Sequence, residues 1–358
     1  MSKIAVVLFN LGGPDSKEAI RPYLTNFFTD PNIIRLPYIF RRFVAYMIAK
    51  NRSKGEALVS YERLGYCSPL LKNSEDQGQA LKELLATENI DANVYIAMRY
   101  WNPMAEEIVQ RIKAEKIDRV VLLPMYPQYS TTTTRSSLQE WKKAAKKLGL
   151  EAKMSMLCCY PVDEGFIKAS ISRILPVYQS LRAEAEQKGF KAPRLLFSAH
   201  GLPKSIIDDG DPYQYQCEVT AQTIINAMGV EDIDWEICYQ SRVGPMEWLK
   251  PSTDESIEKA ARDQVPILIF PHAFVNEHVE TLVEIEEEYR DKAHEIGVPL
   301  FARVETVGTA PDYIAALARR VKQLLDIDGL IGPAANAARG RFCPADKKRC
   351  CLDEQAGH

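Results

Sequence analysis

Short apolar runs with strand character alternate along the chain with longer, amphipathic stretches. The runs lie at 4–9, 93–98, 119–123 and 153–157 in the first half, and at 194–197, 235–239, 266–270 and 300–304 in the second. Nearly continuous apolar runs of this length are typical of parallel strands that are covered on both faces. Helical patterns such as 103–114, 138–148 and 311–325 separate them. This repeated βαβ pattern predicts an α/β protein with two similar Rossmann-like halves, each a four-stranded parallel sheet flanked by helices.

The ends of two strands in the first half resemble the ends of two strands in the second. LFNLGGP at 8–14 resembles LFSAHGLP at 196–203, and LLPMYPQY at 122–129 resembles IFPHAFVN at 269–276. We therefore expect one Rossmann-like half over 1–175 and another over 176–328, followed by a linker and cysteine-rich tail over 329–358. The second half carries most of the ionisable groups at these strand ends. One continuous doubly wound sheet is the alternative.

The segment 36–50 (LPYIFRRFVAYMIAK) predicts an amphipathic helix. Its apolar stripe consists of Ile39, Phe40, Phe43, Val44, Met47 and Ile48. One interpretation is a helix whose stripe faces the core. The other is a lip that covers a hydrophobic substrate and rests on a membrane surface, where the basic residues Arg41, Arg42 and Lys50 would help binding.

The composition and charge of the 358 residues exclude several classes of protein. A net charge of −3 and the lack of a basic stripe argue against nucleic-acid binding. The apolar run at the N-terminus is too short for a secretory signal, and no window of about 18 uninterrupted apolar residues occurs. The Gly12–Gly13 pair lacks the spacing of a dinucleotide-binding loop. We therefore expect a cytoplasmic protein.

Ionisable side chains are concentrated in the segment 271–284. It holds two of the five histidines, His272 and His278, together with three glutamates, Glu277, Glu280 and Glu284. Imidazole and carboxylate groups in one place suit a first-row divalent metal ion or a proton relay. Of the remaining histidines, His200 ends an apolar run and opens a Gly/Pro turn, where α/β proteins place their chemistry.

The glutamates that follow His278 have a helical spacing. Glu280, Glu284 and Glu288 are four residues apart and would form a line of carboxylates on one face of an α-helix. Glu286 would then lie on a solvated face. The alternative for the whole segment is an acidic, solvated helix without a functional role.

Several motifs in the same order resemble the ferrochelatase family over almost the whole chain. They are NLGGP at 10–14, YPQYS at 126–130, SAHGLP at 198–203, GDPY at 210–213, YQSRVGPMEWL at 239–249 with PSTDE at 251–255, and HVETLVE at 278–284. The resemblance implies the chelatase fold and a lyase that inserts Fe²⁺ into protoporphyrin IX. The products would be protoheme and two protons, in the terminal step of heme biosynthesis. Coproporphyrin is the alternative substrate, and the apolar lip favours protoporphyrin.

The resemblance also implies roles for individual residues. His200 would be the proton acceptor or a ligand of the substrate iron, with Glu280 as its partner across the cleft. His278 and Glu284 would continue a polar path for metal or protons. The porphyrin would be bound by Arg63, on its propionates, and by Tyr126, Ser130 and Trp248, which would line the cleft. The lip would make peripheral contact with the inner membrane, and the protein could be a monomer or a homodimer.

Three cysteines, Cys343, Cys350 and Cys351, lie in the last sixteen residues. The Cys158–Cys159 pair could supply a fourth ligand, and we favour Cys158 with Cys159 as the alternative. A zinc ion and a [2Fe–2S] cluster both suit four thiolates, and the spacing does not choose between them. The tail resembles the C-terminal extension of ferrochelatases that carry a [2Fe–2S] cluster, which implies that cofactor here. A tail with unligated thiols is the alternative.

Three other functions compete with this interpretation. A cobalt chelatase that acts on a corrin precursor would share the architecture, but it would not need a hydrophobic lip. An electron-transfer or redox-sensing protein would use the cysteine tail, but it would leave His200 and the acidic segment unexplained. A heme carrier would bind the product without turnover.

Overall fold

The computed structural model describes residues 3–242, 244, 246–327 and 341–352. The predicted linker at 329–340 lies outside the described residues. Two four-stranded parallel sheets form the framework. The strands of the first are β1 (Ile4–Asn10), β2 (Ala92–Met98), β3 (Arg119–Pro124) and β4 (Lys153–Met156), in the order β2-β1-β3-β4. Those of the second are β5 (Arg194–His200), β6 (Trp235–Gln240), β7 (Ile267–Phe270) and β8 (Phe301–Arg303), in the order β6-β5-β7-β8.

Helices connect the strands and cover both sheets. They are α1 (Ile20–Thr29), α2 (Tyr38–Arg52), α3 (Glu56–Arg63), α4 (Leu70–Thr87), α5 (Ala105–Ala114), α6 (Ser136–Leu148), α7 (Glu164–Gln187), α8 (Lys204–Asp208), α9 (Tyr213–Met228), α10 (Thr253–Asp263), α11 (Arg290–Glu295) and α12 (Pro311–Leu325). Two π-helical segments, Thr131–Arg135 and Glu280–Tyr289, run directly into α6 and α11. The predicted fold class, two similar four-stranded halves flanked by helices, is confirmed.

The chain divides into two compact units, one for each sheet. The first runs up to Cys159 and also takes α12 from Leu317 onward, whereas the second runs over Tyr160–Ala316 and takes the tail from Arg341. Helix α7, which the predicted boundary at 175/176 would divide, lies wholly in the second unit. None of the helices formed by the described residues is long and apolar enough to cross a membrane.

Each unit has a core between its sheet and its helices. In the first unit, Ile108, Val109 and Ile112 of α5 recur at helical spacing and pack with the strands, and Trp141 of α6 meets Phe9 edge-on. In the second unit, the core includes Leu196, Ile257, Ile267, Ile285 and Tyr289. The central strands β1, β3 and β7 are buried on both faces, which is why their sequences read as continuous apolar runs.

Helix α2 contradicts one of the two interpretations of the amphipathic segment. Ala45 and Ala49 are its buried residues. The large apolar side chains Ile39, Phe40 and Phe43 are 79%, 66% and 67% exposed. The core-facing interpretation is therefore wrong, since the apolar stripe faces away from the core of its unit.

Candidate active site

The candidate active site lies at the carboxyl edge of the second sheet. Strands β5 and β6 pair in parallel register, which sets His200 opposite Gln240 at their ends. Ser241 follows directly, and the π-helix Glu280–Tyr289 begins ten residues after β7 ends. Because parallel strands all point the same way, side chains distant in sequence meet at this edge.

His200 and Glu280 are in direct contact. The Nδ1 atom of His200 lies 2.8 Å from Oε2 of Glu280. Burial raises the pKa of the Glu280 carboxyl, but the charge and hydrogen bond of His200 outweigh it, so the pKa lies below its ordinary value. The two residues are immediate neighbours within one unit, rather than partners across a cleft, and Glu280 is the ionised carboxylate of the site.

Glu284 forms a second carboxylate beside Glu280. Burial, together with the charge of Glu280, raises the pKa of the Glu284 carboxyl. Tyr289 donates from its hydroxyl to Oε1 of Glu284 at 3.0 Å. Two neighbouring carboxylates with pKa values displaced in opposite directions form a pair in which one holds a proton more readily than the other, an arrangement suited to proton transfer.

The end of β6 holds this carboxylate pair in place. Gln240 donates from Nε2 to Oε2 of Glu280 and of Glu284, both at 3.3 Å. Ser241 donates from its backbone N–H to Oε1 of Glu284 at 2.8 Å, and from Oγ to Oε2 of Glu280 at 3.2 Å and to Glu284. Its backbone has φ of +61°, in the left-handed region that a serine rarely adopts. Strain of this kind is found where a backbone group must be aimed at a functional partner.

The sequence analysis missed Gln240 and Ser241 as site residues. Both belong to the segment 239–249, which contributed to the resemblance described above. A polar pair at the end of an otherwise apolar strand was the available signal, because such ends face the site of an α/β protein.

The π-helix changes which glutamates share a face. The expected α-helical line placed Glu280, Glu284 and Glu288 together, but Glu288 is exposed. With the wider π turn, Tyr289, five residues after Glu284, bonds to it instead. Glu286 is partly exposed, and its side chain pairs with Arg303 at 2.8 Å and with Arg290.

Glu277 lies outside the carboxylate pair. Arg303 donates to both of its carboxylate oxygens at 3.0 Å, and the backbone N–H of Thr306 donates to it at 2.7 Å. Burial raises the pKa of Glu277. The charge of Arg303 and these hydrogen bonds have the larger, opposite effect, so the pKa lies below its ordinary value. This residue anchors the segment before the π-helix.

His272 is a core residue. Its side chain has no exposed surface, and its ring meets Phe197 edge-on with the centroids 5.5 Å apart. Burial lowers its pKa from 6.5 to about 4, and the nearby backbone of Ser198 and Cys217 acts in the opposite direction. The histidine is therefore neutral at physiological pH.

This burial predicts a pH dependence of stability. Between pH 6.5 and about 4 the unfolded chain binds a proton at His272 and the folded chain does not, so the free energy of unfolding falls as the pH drops through that window. The difference amounts to about 3 kcal/mol. Urea unfolding at several pH values measures the free energy of unfolding of the protein and of His272→Leu. This free energy should fall less steeply with decreasing pH in the variant. The exposed His294→Ala variant is the control, and an unchanged decline in His272→Leu would contradict the prediction.

The first unit carries two of the predicted cleft residues at the end of β3. Ser130 is fully buried and caps the π-helical segment Thr131–Arg135, where its Oγ accepts from the N–H of Thr132 at 3.1 Å. Burial is the main cause that raises the pKa of Tyr126. Arg63, at the end of α3, is exposed. In the second unit, Trp248 is 8% exposed and pairs through its backbone with Pro203.

A buried ionic group in the first unit was missed by the sequence analysis. Arg99, at the end of β2, donates to Oδ2 of Asp30 at 2.9 Å and from Nε to Ser136 at 2.6 Å. Tyr100 donates to the same carboxylate at 2.8 Å. The residues of this group lie up to 106 positions apart along the chain, so no local sequence pattern indicated that they would meet.

The cysteines of the predicted cluster are all buried. Cys158 and Cys159 are each 1% exposed, and Cys343, Cys350 and Cys351 are 4%, 2% and 4% exposed. In the second unit, Gln216 donates from Nε2 to Sγ of Cys343 at 3.1 Å, and Arg349 pairs with Asp209 at 3.0 Å. Over the described ranges, no group of three or more His, Cys, Asp or Glu side chains is arranged to hold a metal ion.

Solved structures of similar fold include metal chelatases. The sirohydrochlorin chelatase SirB from Bacillus subtilis subspecies spizizenii in complex with cobalt has a TM-score of 0.51 and 11% identity, covering 90% of this chain and 95% of that one. SirB from Bacillus subtilis with Fe³⁺ has a TM-score of 0.50 and 13% identity, covering 90% and 96%. At these identities the likeness shows the fold alone, which is the chelatase fold.

Sequence comparison gives the family. The ferrochelatase family profile matches residues 3–325, so the tail cysteines lie beyond the matched part. A ferrochelatase from Caulobacter vibrioides (strain NA1000 / CB15N) is 44% identical over 357 residues, 99% of each chain. One from Wolbachia sp. subsp. Drosophila simulans (strain wRi) is 44% identical over 318 residues, 88% of this chain and 98% of the relative. The chain belongs to the ferrochelatase family, the metal chelatases that make heme by inserting iron into protoporphyrin.

Proposed function

We propose that His200, Glu280 and Glu284 form the centre at which this ferrochelatase inserts Fe²⁺ into protoporphyrin IX and releases two protons. The observation that carries the proposal is the 2.8 Å contact between His200 and Glu280, with the second carboxylate held beside them. Imidazole and paired carboxylates at one strand edge are the groups that this reaction requires.

Proton removal is assigned to His200. The pyrrole N–H bonds must break before the metal can bind four nitrogens, and a neutral imidazole with an ordinary pKa of about 6.5 is a suitable acceptor. A proton on the ring stays stabilised by the ionised Glu280 at hydrogen-bond distance. Gln240 and Ser241 tie Glu280 to Glu284, so a polar path leads away from the reacting centre.

Glu280 is assigned to the substrate iron. Carboxylate and imidazole bind Fe²⁺ weakly enough to release it to the porphyrin nitrogens, whereas a closed thiolate site would retain it. The hydrogen bonds that Glu280 accepts from Gln240 and Ser241 favour its ionised form when the metal arrives. His200 is the second group that could contact the metal ion.

Porphyrin binding is assigned to the residues for which the family resemblance implies that role. The exposed guanidinium of Arg63 suits a propionate carboxylate. Tyr126, Ser130 and Trp248 are the predicted cleft residues. Contacts with the porphyrin that are remote from the reacting nitrogens could supply the strain that bends the macrocycle.

The test is anaerobic incubation of the purified protein with Fe²⁺ and protoporphyrin IX, following the loss of porphyrin fluorescence and the appearance of the heme spectrum. We expect many porphyrins to be consumed per protein. Loss that stops at one equivalent would identify a binding protein, and no loss would refute the assignment. Coproporphyrin in a parallel assay decides between the two porphyrin substrates.

The exposed stripe on α2 is assigned to a peripheral membrane contact on the cytoplasmic side. Ile39, Phe40 and Phe43 present aromatic and aliphatic surface, and Arg42 and Lys50 are also exposed. That combination binds at the interface of anionic bilayers without spanning them. The protein should sediment with vesicles of phosphatidylglycerol and phosphatidylcholine, and a Phe40→Ser/Phe43→Ser variant should remain in the supernatant. Phe190→Ser, at a half-exposed phenylalanine of the second unit, is the matched control.

A [2Fe–2S] cluster is assigned to Cys343, Cys350 and Cys351 with Cys158 as the fourth ligand. Four sulfur ligands are what the cluster needs, and all four residues are at least 96% buried. Cys158 and Cys351 are each in a disulfide in this structure, so both would have to be reduced to thiolates to bind the cluster. A cluster bound there would have a structural or regulatory role, since metal insertion transfers no electrons. An anaerobically purified protein should be coloured and lose its visible bands in Cys158→Ser but not in Cys159→Ser. A colourless, iron-free protein would refute the assignment.

A further inference from the structure

His278 sits immediately before the π-helix, and its bonds are those of a helix cap. Val279, the next residue, already has helical backbone angles. The Nδ1 atom of His278 accepts the backbone N–H of Glu280 at 3.0 Å. In return, the backbone N–H of His278 donates to Oγ1 of Thr281 at 3.0 Å. The side chain of His278 therefore bonds to the backbone two residues on, and the side chain of Thr281 bonds back to the backbone of His278, a reciprocal arrangement related to the capping box.

The cap dictates the chemical state of the imidazole. A nitrogen that accepts an N–H cannot carry a proton, so Nδ1 is unprotonated and the proton of the neutral ring is on Nε2. The ring also lies edge-on against Phe274, with centroids 4.4 Å apart, which fixes its orientation. Nδ1 is therefore occupied by the helix, and Nε2 is a donor with no lone pair for a metal ion.

We infer that His278 is a positioning residue that caps the π-helix and aims Glu280 at His200, and that it is neither a metal ligand nor a proton relay. The inference rests on the proposed function of Glu280. It replaces the expectation that His278 continues the polar path.

The geometry explains how a cap controls the reacting group. Glu280 is both the residue whose N–H is capped and the residue whose carboxylate lies 2.8 Å from His200. Without Nδ1 of His278 as acceptor, the N–H of Glu280 would have no partner at this position, and the first turn of the π-helix would fray. Displacing a catalytic carboxylate by about 1 Å costs on the order of 10²-fold in rate.

Three substitutions distinguish a cap from a ligand or relay. The Oδ1 atom of asparagine takes the place of Nδ1 and is a preferred cap acceptor, whereas the amide of glutamine reaches the position of Nε2. We expect His278→Asn to retain most of the turnover that His278→Ala and His278→Gln lose. Turnover in His278→Gln above that of His278→Asn, equal losses in all three variants, or no loss in any of them would overturn the inference.

The tautomer provides a readout that does not depend on turnover. In protein labelled with ¹⁵N-histidine, proton–nitrogen correlation spectra separate the five histidines, and His278→Asn identifies the signal that belongs to His278. We expect the neutral tautomer protonated on Nε2. A ring protonated on Nδ1, or on both nitrogens, at neutral pH would overturn the inference. If the wild-type protein bound porphyrin without turnover while this tautomer was observed, the proposed function would fail and the cap would stand.

Discussion

Replacing His200 with alanine is expected to reduce the rate of iron insertion by about 10²–10⁴-fold, the usual contribution of a positioned acid or base. The substitution removes the proposed acceptor of the pyrrole protons and leaves Glu280 without its 2.8 Å partner. Initial rates of heme formation under anaerobic conditions, at saturating porphyrin, measure the loss.

The His200 side chain is partly exposed at the end of its strand, so its removal should leave the fold intact. Circular dichroism and the thermal midpoint of the variant check this. His294→Ala is the matched control, because it removes an exposed histidine of the same unit. Near-normal turnover by His200→Ala would remove this histidine from the central role.

Replacing Glu280 with glutamine should lower turnover on the order of 10²-fold, because the charge meant for Fe²⁺ disappears while the shape and one acceptor oxygen remain. The effect should appear in kcat and in the KM for the metal, and the KM for porphyrin should change less. Steady-state kinetics with each substrate varied in turn separates the three quantities.

Glu288→Gln is the appropriate control for this substitution. Glu288 belongs to the same π-helix and is exposed, so its neutralisation should leave turnover close to that of the parent protein. Glu286 would be a poor control, because its loss would break the ion pairs with Arg290 and Arg303. Equal losses in the Glu280 and Glu288 variants would show that the assignment of faces is wrong.

The fold was largely predictable because the central strands of both sheets are buried on both faces. Runs such as those that became β1, β3 and β7 had to be continuously apolar, and the amphipathic stretches between them had to be helices that cover the sheets. The position of His200 was predictable because it ends a buried strand, and α/β proteins place functional side chains at the carboxyl ends of their strands.

The π-helix was not predictable from spacing. Residues four apart share a face only on an α-helix, and this assumption grouped Glu288 with Glu280 and Glu284. The wider turn of the π-helix brings Tyr289 to Glu284 instead. Contacts at both ends of the segment accompany this turn, namely the bond of His278 to the N–H of Glu280 and the core position of Tyr289.

The sequence by itself determined the α/β class and the doubling of the four-stranded sheet, because local burial patterns record these features directly. It also marked His200 at a strand end and the ionisable segment that holds Glu280 and Glu284, whose roles were implied by the family resemblance. Only the tertiary structure decided which ionisable groups meet. It gave Ser241 a left-handed backbone that holds two carboxylates, placed His272 in the core, and joined Asp30 to Arg99. The physical reason is that pKa values and hydrogen bonds depend on distances between residues far apart along the chain, and chain spacing carries no information about those distances.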